Sequence, residues 1–169
     1  MCSPKGCWRV ATTLLVACGS AVILSAVSFA KPVRPALRET DIKALAQLGL
    51  QWAIDGGITD FKLAKEPDKL IVSSLNVPQK IQLQVPGRTV VIMSGLRIQA
   101  RADVFGDFLY FEFGPFTRKG TRAEVPLALR WAVGLNSTTQ YLSGGGATLE
   151  FEKKKGKWHL IPVMHRWMS

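Results

Sequence analysis

Between residues 122 and 133 apolar positions alternate with polar or small ones. Ala123, Val125, Leu127, Leu129, Trp131 and Val133 fall on one side, and Arg122, Glu124, Pro126, Ala128, Arg130 and Ala132 on the other. A period of two is what a strand with one buried face requires. A different period appears near residue 41. Ile42, Leu45, Leu48, Gly49 and Trp52 recur at spacings of three and four, with Lys43, Gln47 and Gln51 opposite them. That pattern predicts an amphipathic helix over 41–55. Thr40 is placed as its N-cap, Asp41 lies in the first turn where the helix dipole favours an acid, and Gly56-Gly57 ends it.

The same reading extends along the chain. Residues 58–68 are mixed. Short β-rich runs occupy 70–75 and 89–93, and 77–86 alternates weakly between two prolines. Leu96, Ala100 and Val104, with Ile98 and Ala102 beside them, predict a second helix over 95–105 that stops at Gly106. Four longer strands follow: 107–113, 122–133, 141–152 and 158–167. Turns are expected at 114–120, at 136–139 and at the lysine-rich tip 153–157. Consecutive strands with short connections most simply make an antiparallel meander. Two helices segregated from such a sheet give an α+β class: an N-terminal helix on a bent antiparallel, cone-like sheet, and a second helix before a four-strand meander.

The first thirty residues have another character. Lys5 and Arg9 precede a run of 21 uncharged residues, Val10 to Ala30, which closes on Ser28-Phe29-Ala30. This three-part pattern predicts a signal peptide cleaved before Lys31. The run is also long enough to stay as a membrane anchor. Leu15-Val16-Ala17-Cys18 offers a third outcome, lipidation at Cys18. All three export the rest, to the periplasm or beyond. Residues 31–39, with Pro32 and Pro35, read as a linker, and 40–169 as one domain.

Composition narrows the picture. The chain has 169 residues, 47% apolar and 20% charged, which excludes a disordered or collagenous protein. Its three cysteines, Cys2, Cys7 and Cys18, all precede residue 31. The exported part therefore contains no disulfide, thiol nucleophile or Cys-ligated zinc. Without Lys5 and Arg9 it keeps 20 basic residues against 12 acidic ones, a surplus that favours anionic envelope surfaces. Export makes nucleic acid an unsuitable partner.

The order of elements over 40–169 resembles the nuclear-transport-factor-two-like fold of the cystatin-like group. Trp131-Ala132-Val133-Gly134, Tyr141-Leu142-Ser143-Gly144-Gly145-Gly146 and Gly156-Lys157-Trp158 also look like the C-terminal half of exported bacterial proteins without an assigned activity. The broad group includes isomerases, dehydratases and non-catalytic binders, so the resemblance implies a fold and no reaction.

Candidate chemistry is sparse. Lys153, Lys154, Lys155 and Lys157 could hold an anionic lipid or polymer, or form a solvated turn; Arg118, Lys119 and Arg122 could join them at a basic end of the sheet. Gly144, Gly145 and Gly146 follow no phosphate-loop pattern, and suit a bend, a close backbone approach or a ligand contact. Asp103, Asp107, Tyr110, Tyr141 and His165 are the types an acid–base pocket would use. His159 and His165 are about 20 Å apart on a regular strand, too far for one metal. No cofactor is expected. The expectation is an exported, non-enzymatic domain that binds a partner protein, an anionic surface or a small apolar ligand, with a small pocket enzyme as the alternative.

Overall fold

A computed structural model describes residues 37–58, 68–139 and 144–162, and the strand 165–168 by its backbone and the Arg166 side chain. Residues 1–36, with the expected signal peptide, Cys18 and most of the expected linker, and Tyr141 lie outside these residues. The protein is α+β, and the described residues form two α-helices and a curled half-barrel sheet.

Helix α1 spans Glu39–Trp52 and widens into a π-turn at Ala53–Gly57, where Gly56 takes a φ of 100° that other residues rarely adopt. The helix begins one residue before the expected cap: Arg38 is the N-cap and supplies no side-chain bond, and Thr40 lies inside the first turn. Strands β1 (Lys69–Ser73) and β2 (Thr89–Met93) are followed by α2 (Gly95–Phe105), capped by Ser94. Then come β3 (Phe108–Phe113), β4 (Thr117–Lys119), β5 (Arg122–Ala132), β6 (Gly145–Lys154), β7 (Lys157–Leu160) and β8 (His165–Met168).

The sheet runs β2-β1-β3-β5-β6-β7, with β4 also on β5 and β8 also on β6. From β3 onward every pairing is antiparallel, as expected. The first part corrects the expectation: β1 is parallel to both β2 and β3, so the sheet is mixed. The connections 74–88 and 94–107 each exceed the dozen residues a parallel crossover needs. The expected turn at 114–120 contains β4, which forms a hairpin with β5. The expected last strand is two segments, both laid on β6.

Each face of the sheet has its own core. On the inner face Leu45, Ala46 and Leu50 of α1 meet Phe111 and Phe113, Val125, Leu127 and Leu129, and Leu149 and Phe151, all fully or almost fully buried. Gly49 allows the close fit: a Cβ there would stand 3.2 Å from both Leu149 Cδ1 and Phe113 Cε1. The connection 74–88 covers the same face through Val77, Ile81, Leu83 and Val85. Its alternation is a burial pattern without a ladder, since Val85 and Arg88 make only an isolated bridge. On the outer face α2 seals β1 to β3, packing Ile98 and Ala102 against Ile71, Met93 and Ala132.

This second core changes two side-chain assignments. The inward stripe of β5 ends at Leu129: Trp131 is half-buried, Val133 is exposed, and Ala132 is buried under α2 instead. In α2 the positions that predicted the helix, Leu96, Ala100 and Val104, face solvent, while Ile98 and Ala102 face the sheet. Two small deletions separate these environments. Leu127→Ala should lower the unfolding free energy by about 2–5 kcal/mol, and Leu96→Ala by no more than about 0.5 kcal/mol, in urea titrations with unchanged slope.

Candidate functional site

The sheet end at which α1 begins gathers charge. Asp41 is only 6% exposed, and its Oδ1 accepts hydrogen bonds from Lys153 Nζ (2.6 Å) and Trp158 Nε1 (2.8 Å). The lysine also sits over the Trp158 ring, 5.2 Å from its centre. Burial works against the Asp41 charge. The bonds from Lys153 and Trp158, helped by the charges of Lys153 and Arg118, outweigh it and hold the carboxyl below its ordinary 3.8. Lys153 is thus a partner of a buried carboxylate and no free member of the lysine tip.

The rest of the tip is open. Lys154 pairs with Glu152 at 2.8 Å, and its hydrogen bond holds that carboxyl low. Lys155, with a φ of 49°, and Gly156 make the turn, and Lys155 and Lys157 are exposed. The β4–β5 hairpin lies alongside: Lys153 N donates to Thr121 O, and Arg122 is opposite Glu152. Lys119 pairs with Glu124 at 2.7 Å. Below the tip, a shallow groove of about 510 Å3 runs between Ala44 and Leu48 of α1 and Lys157 and Trp158 of β7. A second, of about 410 Å3, continues past Leu48 to Trp52, Leu160 and Arg166, whose guanidinium lies 5.6 Å from the Trp52 ring centre.

The acid–base candidates are elsewhere. Asp103 Oδ1 accepts from Gln99 Nε2 (2.9 Å) and Leu135 N (3.0 Å). Asp107 accepts from Gly134 N (2.8 Å) and Ser137 Oγ (2.5 Å). Gln99 Nε2 also donates to Val133 O. These groups fasten the loop after β5 to the end of α2. Tyr110 is half-buried on the outer face, opposite Arg130 on the neighbouring strand. Burial, with the nearby Glu112 charge, raises its pKa against the opposing pull of Arg130. His159 is exposed across from Glu152. His165 is placed by its backbone on β8, opposite Thr148. The described residues contain no group of three or more His, Cys, Asp or Glu suited to a metal, and no helix long and apolar enough to cross a membrane.

At Gly144 a Cβ would stand 2.4 Å from Leu129 O, so a close approach of two backbones requires glycine there. Gly145 and Gly146 are buried inside β6, where Gly146 lies between Ala128 and Trp167.

One surface carried no signal as a site in the sequence. Leu96 is 86% exposed, Leu135 82%, and Val104 and Phe105 nearly as much. The bonds from Gln99 and to Asp103 bring Leu135 beside α2. Arg101 lies over the rings of Phe105 and Phe108, at 5.1 and 5.6 Å, and Arg97 is exposed on the same helix. The helical period had marked Leu96 and Val104 as a buried stripe, which hid them as surface.

No family model, curated protein or solved structure matches the chain.

Two substitutions test the geometry. Asp41→Asn should cost about 2 kcal/mol at neutral pH, because Lys153 loses its charge partner. A carboxyl with a lowered folded pKa contributes stability above its unfolded value and loses it as pH falls toward the folded one. The native protein should therefore weaken on acidification below about pH 4 more than Asp41→Asn does, in urea midpoints taken across that range. Gly144→Ala should cost more than about 1 kcal/mol in the same assay, from the clash with Leu129 O.

Proposed function

We propose that residues 31–169 form an exported, non-enzymatic binding domain that engages a partner protein through the outer face of α2 and the loop after β5. The observation that carries this reading is the exposed group Leu96, Val104, Phe105 and Leu135. Soluble domains seldom leave such side chains together in water unless another surface covers them. The partner is an apolar surface with an acidic rim. Arg97 and Arg101 flank the patch, while the nearby carboxylates of Asp103 and Asp107 are turned to the domain's own loop.

A binder is favoured over a pocket enzyme by what occupies the inner face. Leu45, Ala46, Gly49 and Leu50 fill the place where a substrate would enter a cone-shaped fold. The nuclear-transport-factor-two-like arrangement, with α1 lying in a cone ahead of a four-strand meander, belongs to the same reading. Export rests on the leader pattern of residues 1–30.

A photo-crosslinking residue at position 135 of the full chain should give a discrete heterotypic adduct in the host envelope. Leu96→Asp, an exposed and structurally tolerated change, should abolish that adduct without altering urea stability by more than about 0.5 kcal/mol. An adduct at twice the chain mass would make the partner a second copy. No adduct, or one that survives Leu96→Asp, would remove the reading.

A further inference from the structure

The α2 patch and the lysine tip lie toward opposite ends of β5, whose eleven residues cover about 35 Å. They share no residue, and the tip has a different companion: the point at which the chain enters the fold.

The first turn of α1 is fastened to the β6–β7 hairpin by the bonds from Lys153 and Trp158 to Asp41. Residue 37 therefore emerges beside the cationic tip. At this end four carboxylates are matched, Asp41 by Lys153, Glu124 by Lys119, Glu152 by Lys154 and Glu39 by Lys80, while Glu150, opposite Glu124 on β6, makes no ion pair among the described residues. Arg118, Arg122, Lys155 and Lys157 make no direct ion pair with an acid among the described residues, although the Arg118 charge acts on Asp41 and that of Arg122 on Glu152. They come from two adjacent hairpins, joined by the bond from Lys153 N to Thr121 O and by the pairing of Arg122 with Glu152. Just upstream, the sequence adds Lys31, Arg34 and Arg38 and then the 21 uncharged residues that end at Ala30. The stretch from residue 30 to residue 37 reaches about 25 Å at most.

From this juxtaposition we infer that, where residues 10–30 are kept as an anchor and not cleaved, the α1-entry end of the sheet is a seat for the headgroup layer of an anionic bilayer, contacted by Arg118, Arg122, Lys155 and Lys157. Two facts favour a bilayer over other anionic occupants. The surplus charge is of one sign on two neighbouring turns, which suits a plane of phosphates better than an enclosed ligand. The chain also delivers a bilayer-length apolar segment within reach of that plane. The α2 patch, where a protein partner would be met, lies toward the other end of β5. The seat does not depend on that partner's existence.

The full chain is reconstituted into lipid nanodiscs of phosphatidylcholine alone, or of phosphatidylcholine with phosphatidylglycerol, and lysine acylation is followed by mass spectrometry. Lys155 and Lys157 should react about fivefold more slowly in the phosphatidylglycerol discs, and high salt should remove the difference. Lys69, at the far end of β1, should react equally in both. In a Lys155→Glu/Lys157→Glu variant, protection of the neighbouring Lys119 and Lys154 should disappear. Equal reactivity of Lys155 and Lys157 in both discs would overturn the inference. So would equal protection of Lys69, or the same protection produced by soluble polyphosphate without discs. None of these outcomes touches the crosslink at position 135, so the seat and the partner surface fail separately.

Discussion

A buried carboxylate at the start of α1 joins the first helix to the last hairpin. Asp41 takes one bond from a strand residue 112 positions away and another from an indole 117 positions away. Burying that charge without partners would cost far more than a packed helix returns. With Lys153 and Trp158 in place it fixes how α1 lies along the sheet. Leu45, Gly49 and Leu50 then meet Leu127, Leu149 and Phe113, and the inner core closes around them. The same contact sets the place where the upstream segment leaves the domain. One interaction thus links core formation, helix orientation and the position of the basic tip.

The sheet is covered unevenly, and this creates the surfaces available for binding. Strands β1 to β3 are buried on both faces, by α1 and the 74–88 connection within and by α2 without. Strands β5 and β6 show water a polar outer face of Glu124, Arg130, Thr148 and Glu150. Because α2 crosses from β2 to β3, no described residue covers its outer side, and Leu96 and Val104 stay wet. Hydrogen bonding at Asp103 and Asp107 is spent on holding the neighbouring loop, which adds Leu135 to that surface. The apolar patch and the cationic tip are therefore products of one topology, placed at separate ends of it.

Much of this order was legible from periodicity. The alternation at 123–129 located the inner face of β5, and the spacing at 42–52 located α1, because each is a strong local pattern with one dominant core partner. Local patterns were less informative where two cores compete. Residues 77–86 alternate in burial, yet two prolines and the lack of a neighbouring strand leave them outside the ladder. Leu96, Ala100 and Val104 keep helical spacing, but Ile98 and Ala102 are the ones that fit between Ile71, Met93 and Ala132. The parallel pairing of β1 could have been suspected from connections long enough for crossovers, a signal that runs of short β-rich sequence tend to mask. Lys153 could not be separated from its neighbours in a lysine run, since its partner Asp41 lies at the other end of the chain.

By itself the sequence determined where α1, α2 and the inner face of β5 form, that the class is α+β, that residues 31–169 contain no cysteine, and that they hold a surplus of basic charge. These follow from composition and from repeats of two and 3.6 residues, which need only neighbours along the chain. Tertiary structure alone decided which face of α2 is buried, the parallel direction of β1, the close backbone contact at Gly144 and the pairing of Asp41 with Lys153. Each of these depends on what another segment, distant in sequence, places against the residue, and no period along the chain records that.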